Sequence, residues 1–341
     1  MLRRFIMPTL HIFNPDSDYA LSSDREYYTP PSEVLSLRKR LALLPALYAE
    51  KGDAILLLDQ TSTHFNDLEH YDVAREKSIE ILTVSELETK TKDFTGYLIN
   101  PWGWNKNIRR ILLDIVPDPS ILPSMESLKK IRTLSHRRTT ISFLQEIQNS
   151  DSEGRYMGSE IKLPKEIFDI EEALEMFGQD KRLFFKAPWS SAGRGLLLTD
   201  DLERKHVEPW LRGIIKRQGS VMAECAYDRK IDFATEWLST DKGAEFLGFS
   251  VFNVSRRGKY HSNVDGDQTT LENLINSNTP WDLHEIVMDQ KRCIDLLISP
   301  FYHGPLGIDM LITNAGNINP CVEINLRHTM GMLKLLKRNE N

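Results

Sequence analysis

The sequence predicts a mixed α/β protein (α+β overall) whose first third is an α/β domain and whose last third is rich in β-structure. Three observations carry this. Strand-like and helix-like segments alternate through the first hundred residues. Long strand-like runs replace them after residue 231, and a hairpin with one polar face, GIDMLITNAGNINPCVEINLR, lies near the end. At 341 residues the chain is long for one core, and three parts are expected: 1–123, 124–226 and 227–341.

TLHIFN (9–14) reads as a strand entering the loop NPDSDY. Ser32 reads as the cap of a helix running through SEVLSLRKRLALLPALYAEKG to Gly52. DAILLLD (53–59) and DFTGYLIN (93–100) read as strands, the second entering PWGW. This β-α-β order predicts a small, mainly parallel sheet covered by helices. Open sheets of that kind place ligands in the loops after their strands, here NPDSDY and PWGW. Asp16, Tyr19, Trp102 and Trp104 are the side chains available there, with packing as the simpler duty.

A helical region spans 124–148, a polar loop 149–160, and a helix 171–178. Strands RLFFKAPW and RGLLLTD, a helix EPWLRGIIKRQG and a strand SVMAECAY follow. IDFATEWLS, AEFLGFSVFNV and GKYHSNV are expected as strands, 261–280 as a surface loop, and 281–298 as a helix before the final hairpin.

A net charge of −6 gives no electrostatic footprint for nucleic acid. Cys225, Cys293 and Cys321 are too few and too scattered for a disulfide framework or a zinc site. Pro8 and His11 interrupt the apolar start, so no signal peptide is expected. No apolar run approaches a membrane span, and a cytoplasmic location is expected.

In CVEINLR, Glu323, Asn325 and Arg327 recur every second residue and share one face of a strand. A hairpin centred on Gly316 sets Asp309 opposite Glu323 and Met310 opposite Val322, with Ile308, Met310, Ile312, Val322 and Ile324 facing the core. Two facing carboxylates repel unless a cation lies between them. Oxygen ligands on rigid strands suit Mg²⁺ completed by phosphates, and the Arg327 guanidinium suits phosphate oxygens. Asp309, Glu323 and Asn325 are therefore the candidate metal ligands; a solvated polar face is the competing reading.

Upstream, FFKAPWSSAGRGL (184–196) places Lys186 in an apolar run, where a charge needs an anionic partner. Ser190, Ser191, Ala192, Gly193, Arg194 and Gly195 form a small-residue loop whose backbone N–H groups can close on phosphate. It is neither a P-loop nor a dinucleotide fingerprint.

Lysine strand and glycine loop, then a hinge acid, then D…E-x-N in a terminal hairpin: this order resembles the ATP-grasp superfamily over residues 125 to 335. The resemblance is most specific at GIDML…CVEINLR. It implies an ATP-grasp fold with a small α/β domain ahead of it, a central lid subdomain and a β-rich subdomain. It further implies that Lys186 and Arg137 hold ATP phosphates, with Arg138 a rival for the second place, and that SSAGRG closes over them. Glu224, Cys225 and Ala226 would form the adenine hinge, and Asp232 would take the ribose, where the superfamily more often has glutamate. Asp309, Glu323 and Asn325 would bind Mg²⁺, and Lys186 and Arg327 would act on the transferring phosphate.

Leu326 stands where proline is common, and His328 is an addition. The activity implied is an ATP- and Mg²⁺-dependent ligase that activates a carboxylate for attack by an amine or thiol. A small-molecule kinase on the same fold and a nucleotide-binding protein without turnover remain alternatives. The acceptor is expected beside GFSVFNVSRRGKYHSN, held by Arg256, Tyr260, Asn263 and His328, although Arg256-Arg257-Gly258-Lys259 also reads as a plain basic hairpin tip.

Overall fold

The structure, a computed structural model, describes residues 7–59, 67–89, 94–180, 182–190 and 195–338. The chain divides into two compact units: residues up to Lys129 with those from Leu336, and Lys130–Leu335. The position 226/227 falls inside the second unit, between its two sheets.

The first unit holds four parallel strands, β1 (Thr9–Ile12), β2 (Ala54–Leu57), β3 (Glu80–Thr83) and β4 (Leu98–Pro101), in the order β3-β2-β1-β4. Alternation sends Leu10, Ile12 and Leu56 to a core with Ile108 and Leu112, and Ile55 and Leu57 to one with Leu43 and Ala74. Burial on both faces is why β2 reads as an unbroken apolar run. The strand order reverses at β1, which sets the loops after β1 and β4 side by side. Asn14 joins them: its Nδ2 donates to the Gly103 carbonyl at 2.8 Å, and its Oδ1 accepts from the Gly103 N–H at 3.3 Å. Asp16 is buried and accepts from Arg38, which also bonds Asp59.

Two expectations in this unit need correction. The helix from Ser32 ends at Arg40 and a 3₁₀ turn, Leu44–Leu47, follows, because Pro45 has no N–H to continue the ladder. Its N-cap is Pro31, with Ser32 already helical and making no capping bond.

The second unit contains a four-stranded antiparallel sheet and a five-stranded one. The first comprises β5 (Lys165–Ile167), β6 (Leu183–Lys186), β7 (Leu196–Leu198) and β8 (Val221–Cys225), ordered β5-β8-β6-β7. Helices Ile170–Gln179 and Arg204–Gln218 supply Leu174, Phe177, Val207 and Leu211 to its core. The second comprises β9 (Arg229–Thr240), β10 (Gly243–Val254), β11 (Tyr260–Asn263), β12 (Gly304–Thr313) and β13 (Ile318–Asn325), ordered β11-β10-β9-β12-β13.

The region 124–148 is two helices, Met125–Leu134 and Thr139–Gln148. Between them His136 Nδ1 accepts the Arg138 N–H at 3.0 Å, drawing that donor out of the helical pattern. The stretch 261–280 is not all loop: helix Gln268–Asn276 lies within it, capped by Asp267, which accepts from the Thr270 N–H at 2.7 Å. No described helix is long and apolar enough to cross a membrane.

In the last hairpin Asp309 pairs with Glu323, Ile308 with Ile324 and Gly307 with Asn325. Nearer the turn Leu311 pairs with Asn319, so a bulge of Pro320, Cys321 and Val322 faces Met310. Proline cannot donate to the ladder and is confined to such places. The Asn319 side chain accepts the Cys321 N–H at 3.1 Å instead. Met310 therefore does not sit opposite Val322 alone, and Val322 is half-buried while Ile308, Met310, Ile312 and Ile324 fill the core.

Candidate functional site

Strand register fixes the site. Asn325, Gly307, Glu236 and Gly248 form one row across β13, β12, β9 and β10, and Glu323, Asp309, Ala234 and Ser250 form the next. Residues in a row point to the same face, as do residues two apart along a strand. Asp309, Glu323 and Asn325 therefore share a face with Glu236 and Asp232.

The basic groups reach this face from neighbouring segments. Arg137, 6% exposed, donates from Nη2 to Glu323 Oε1 at 2.7 Å, and from Nη1 to the Ala187 carbonyl at 2.5 Å and Ser190 Oγ at 2.8 Å. The Arg138 alternative points elsewhere, to Glu166 at 3.4 Å. Lys186 is buried on β6 and pairs with Glu224 on β8. Phe184 lies opposite Glu224 and Lys186 opposite Met222, so the pair crosses the ladder diagonally on one face. Arg327 donates from Nη2 to Asn325 Oδ1 at 2.8 Å and from Nη1 to the His328 carbonyl at 3.1 Å.

Burial pushes the Asp309 carboxyl well above the usual range, and the facing Glu323 and nearby Glu236 add to this. Burial also opposes charge on Glu323, but Arg137, then Lys186 and Arg327, outweigh it and hold that carboxyl low. Asp232 is raised mainly by burial, although Arg229 donates to it at 3.2 Å.

Among the described residues no three His, Cys, Asp or Glu side chains are gathered to hold a metal by themselves. Two carboxylates and one amide oxygen, with Asp309 forced toward its neutral form by burial and then by Glu323, nevertheless fit a hard divalent cation that shares its shell with phosphate. The donor set contains no nitrogen or sulfur, so it suits Mg²⁺ rather than zinc.

The ends of the small-residue loop are held together: the Ala187 N–H donates to the Gly195 carbonyl at 2.8 Å. Gly195 has φ +72°, and a Cβ there would lie 2.8 Å from that of Ser190. Ser191, Gly193 and Arg194 lie outside the described residues. At the end of β8, the Ala226 N–H is taken by the Arg182 carbonyl at 3.1 Å, and Cys225 is half-buried beside it.

The acceptor candidates are not gathered in the same way. Exposed Arg256 donates to Asp200 at 2.8 Å, Tyr260 packs on Phe252, and Asn263 donates to the Met330 carbonyl at 3.0 Å. His328 is buried.

Glu236 escaped the reading of the sequence. It is 1% exposed and accepts from Ser250 Oγ and Thr329 Oγ1, each at 2.8 Å. Burial raises its carboxyl to about 7, against the lowering effect of Thr329, Ser250 and Arg327. A Cβ at Gly331 would lie 2.2 Å from its Oε1, and one at Gly307 2.9 Å from its Oε2. The signal was present: in DFATE, Asp232, Ala234 and Glu236 show the same every-second-residue spacing as Glu323, Asn325 and Arg327.

No family model matches the sequence, and no curated protein matches it. Solved structures do. The chain is similar to the ADP complex of N5-carboxyaminoimidazole synthetase from Staphylococcus aureus, with TM-score 0.50 and 12% identity, covering 95% of this chain and 71% of that one. It is similar to the biotin carboxylase domain of the Hydrogenobacter thermophilus 2-oxoglutarate carboxylase, solved with MgADP, ADP and bicarbonate. There the TM-score is 0.51 and the identity 12%, covering 97% of this chain and 69% of that one. Pyruvate carboxylase from Rhizobium etli gives TM-score 0.52 and 12% identity over 97% of this chain but only 27% of the longer partner. The first two are ATP-grasp enzymes, and the chain has the ATP-grasp fold.

Proposed function

We propose that the protein is an ADP-forming, ATP- and Mg²⁺-dependent ligase that joins a small-molecule or peptide carboxylate to an amine or thiol. The observation that supports it most is the in-register pair Asp309–Glu323, bordered by Arg137, Lys186 and Arg327. A carboxylate oxygen of the substrate attacks the γ-phosphorus and ADP leaves; the amine or thiol then attacks the acyl carbon and phosphate leaves. Phosphoryl transfer asks the protein mainly for positioning and for positive charge where negative charge develops. Lys186 and Arg137 bind the phosphates, and Arg327 faces the transferring group. Glu224 to Ala226 border the adenine, and Asp232 accepts from the ribose. Mg²⁺ held by Asp309, Glu323 and Asn325 would neutralise phosphate charge. The loop Ser190–Gly195 closes over the acyl phosphate and keeps water from it. Arg256, Tyr260, Asn263 and His328 remain the candidates for the acceptor.

The test is calorimetric titration of Mg²⁺ with a non-hydrolysable ATP analogue into wild type and Asp309→Asn, followed by a screen of carboxylate and amine pools for ADP release. Metal-dependent binding lost in the variant, with an amide or thioester product, supports the reading. A stable phosphoester product would make the enzyme a kinase, and absence of nucleotide binding in wild type would remove the enzyme reading altogether.

A further inference from the structure

We propose that Arg137 keeps a divalent cation off Glu323 until a polyphosphate competes for its guanidinium, so that metal and nucleotide enter this site together. The inference rests on the ligase reading above and concerns how the metal of that site is admitted.

Arg137 lies directly on one of the two carboxylates the metal requires, with Nη2 donating to Glu323 Oε1 at 2.7 Å. Glu323 in turn stands opposite Asp309 across the β12–β13 ladder. An incoming divalent ion therefore meets a fixed positive charge already bonded to its ligand, with Lys186 and Arg327 also acting on the same carboxylate. Like charges at such range disfavour one another strongly where water is scarce.

The guanidinium is itself incompletely partnered. Nη1 is satisfied by the Ala187 carbonyl and Ser190 Oγ, but the buried Nε has no hydrogen-bond partner among the described residues. A planar fork with a donor to spare is matched to phosphate oxygens. A polyphosphate reaching this guanidinium, which Ala187 and Ser190 hold in place, offers the Nε–H an acceptor and competes with Glu323 for Nη2. Glu323, once released, completes the oxygen set with Asp309 and Asn325. Coupling of this kind is reciprocal: each ligand must tighten the binding of the other by the same factor.

The experiment uses Mn²⁺ as the metal probe, following the protein-immobilised electron paramagnetic resonance signal in the full chain. Wild type is titrated with Mn²⁺ alone and with Mn²⁺ plus a non-hydrolysable ATP analogue; Arg137→Gln and Arg137→Gln/Glu323→Gln are titrated with Mn²⁺ alone. The expected result is weak binding to wild type alone and tight binding with the analogue. Arg137→Gln should take Mn²⁺ without nucleotide roughly tenfold more tightly than wild type, the scale on which one adjacent charge acts. The double variant should lose that gain. If wild type binds Mn²⁺ equally well with and without the analogue, the proposal is overturned, and this comparison needs no folded variant. If wild type binds neither the analogue nor Mn²⁺ in its presence, the ligase reading fails first and the proposal falls with it.

Discussion

Lys186 on β6 is ion-paired with Glu224 on β8, and both side chains are largely buried on one face of the four-stranded sheet. The lysine read from sequence as a phosphate ligand thus has an acidic partner from the residues read as the adenine hinge. Removing one member of a buried pair strands the other, at a cost of about 3–5 kcal/mol. Lys186→Met should lower stability on that scale in urea denaturation and weaken nucleotide binding. Lys186→Met/Glu224→Gln should recover most of the stability but not the affinity. If the double variant also regained affinity, Lys186 would be structural.

Asp309 should show opposite effects on stability and activity. Its carboxyl is raised by burial and by Glu323, so ionising it costs the fold free energy at neutral pH. Asp309→Asn should unfold at a higher urea midpoint than wild type when no divalent cation is present, by roughly 1 kcal/mol or more, and should have no measurable turnover. A variant that is both less stable and active would contradict the assignment.

Glu236 makes a pH-dependent contribution. Its folded pKa is about 7, raised chiefly by burial from an ordinary 4.5. Between those values the native state holds a proton that the unfolded state has released. The stability it contributes is complete below about 4.5 and lost as pH rises through about 7, by roughly 3 kcal/mol. Glu236→Gln keeps an acceptor for Thr329 and a donor for Ser250 and carries no such titration. The difference in unfolding free energy between variant and wild type should grow in favour of the variant from pH 5 to pH 8. A constant difference would show that the carboxyl is not titrating there.

Gly331 is required by space. A methyl at this position would meet Glu236 Oε1 at 2.2 Å, Ser250 Oγ at 2.3 Å and Ser250 Cβ at 2.6 Å. Glu236 is held at both oxygens and cannot swing aside freely. Gly331→Ala should therefore destabilise by about 1–3 kcal/mol, despite the better helix propensity of alanine. Gly331→Ala/Glu236→Ala, which vacates the space, should restore part of the loss in the same denaturation assay.

The features readable in the sequence were those set by short-range rules. Period-two spacing put Glu323 and Asn325 on one face, but the turn is centred on Ala315 rather than Gly316, since Ile312 pairs with Ile318 and Leu311 with Asn319. Asp309 meets Glu323 because the bulge at 320–322 adds two residues to β13. The parallel first sheet followed from the alternation of segments. Features settled by distant partners were not readable. The bulge at 320–322 depends on Pro320 inside what otherwise reads as a strand. Helix Gln268–Asn276 was hidden because polar residues outnumber its buried Leu271 and Ile275. Glu236 was overlooked because no acid faces it: its neighbours in the row are Gly307 and Gly248. The pairing of Arg137 with Glu323 spans 186 positions and has no local signature.

The bulge on β13 acts as an expansion joint. On its far side the hairpin tip is fastened by Glu160, which accepts from Thr313 and Asn317, and by Thr279, whose hydroxyl donates to the Gly316 carbonyl. On its near side β9 fixes the register of Asp309 through Ala234. The tip thus has anchors of its own besides β9, which runs along both tip and carboxylate pair, and two extra residues of β13 lie between them. Loss of a single residue from the joint would leave Glu323 out of step with Asp309 and turned to the apolar side of the sheet.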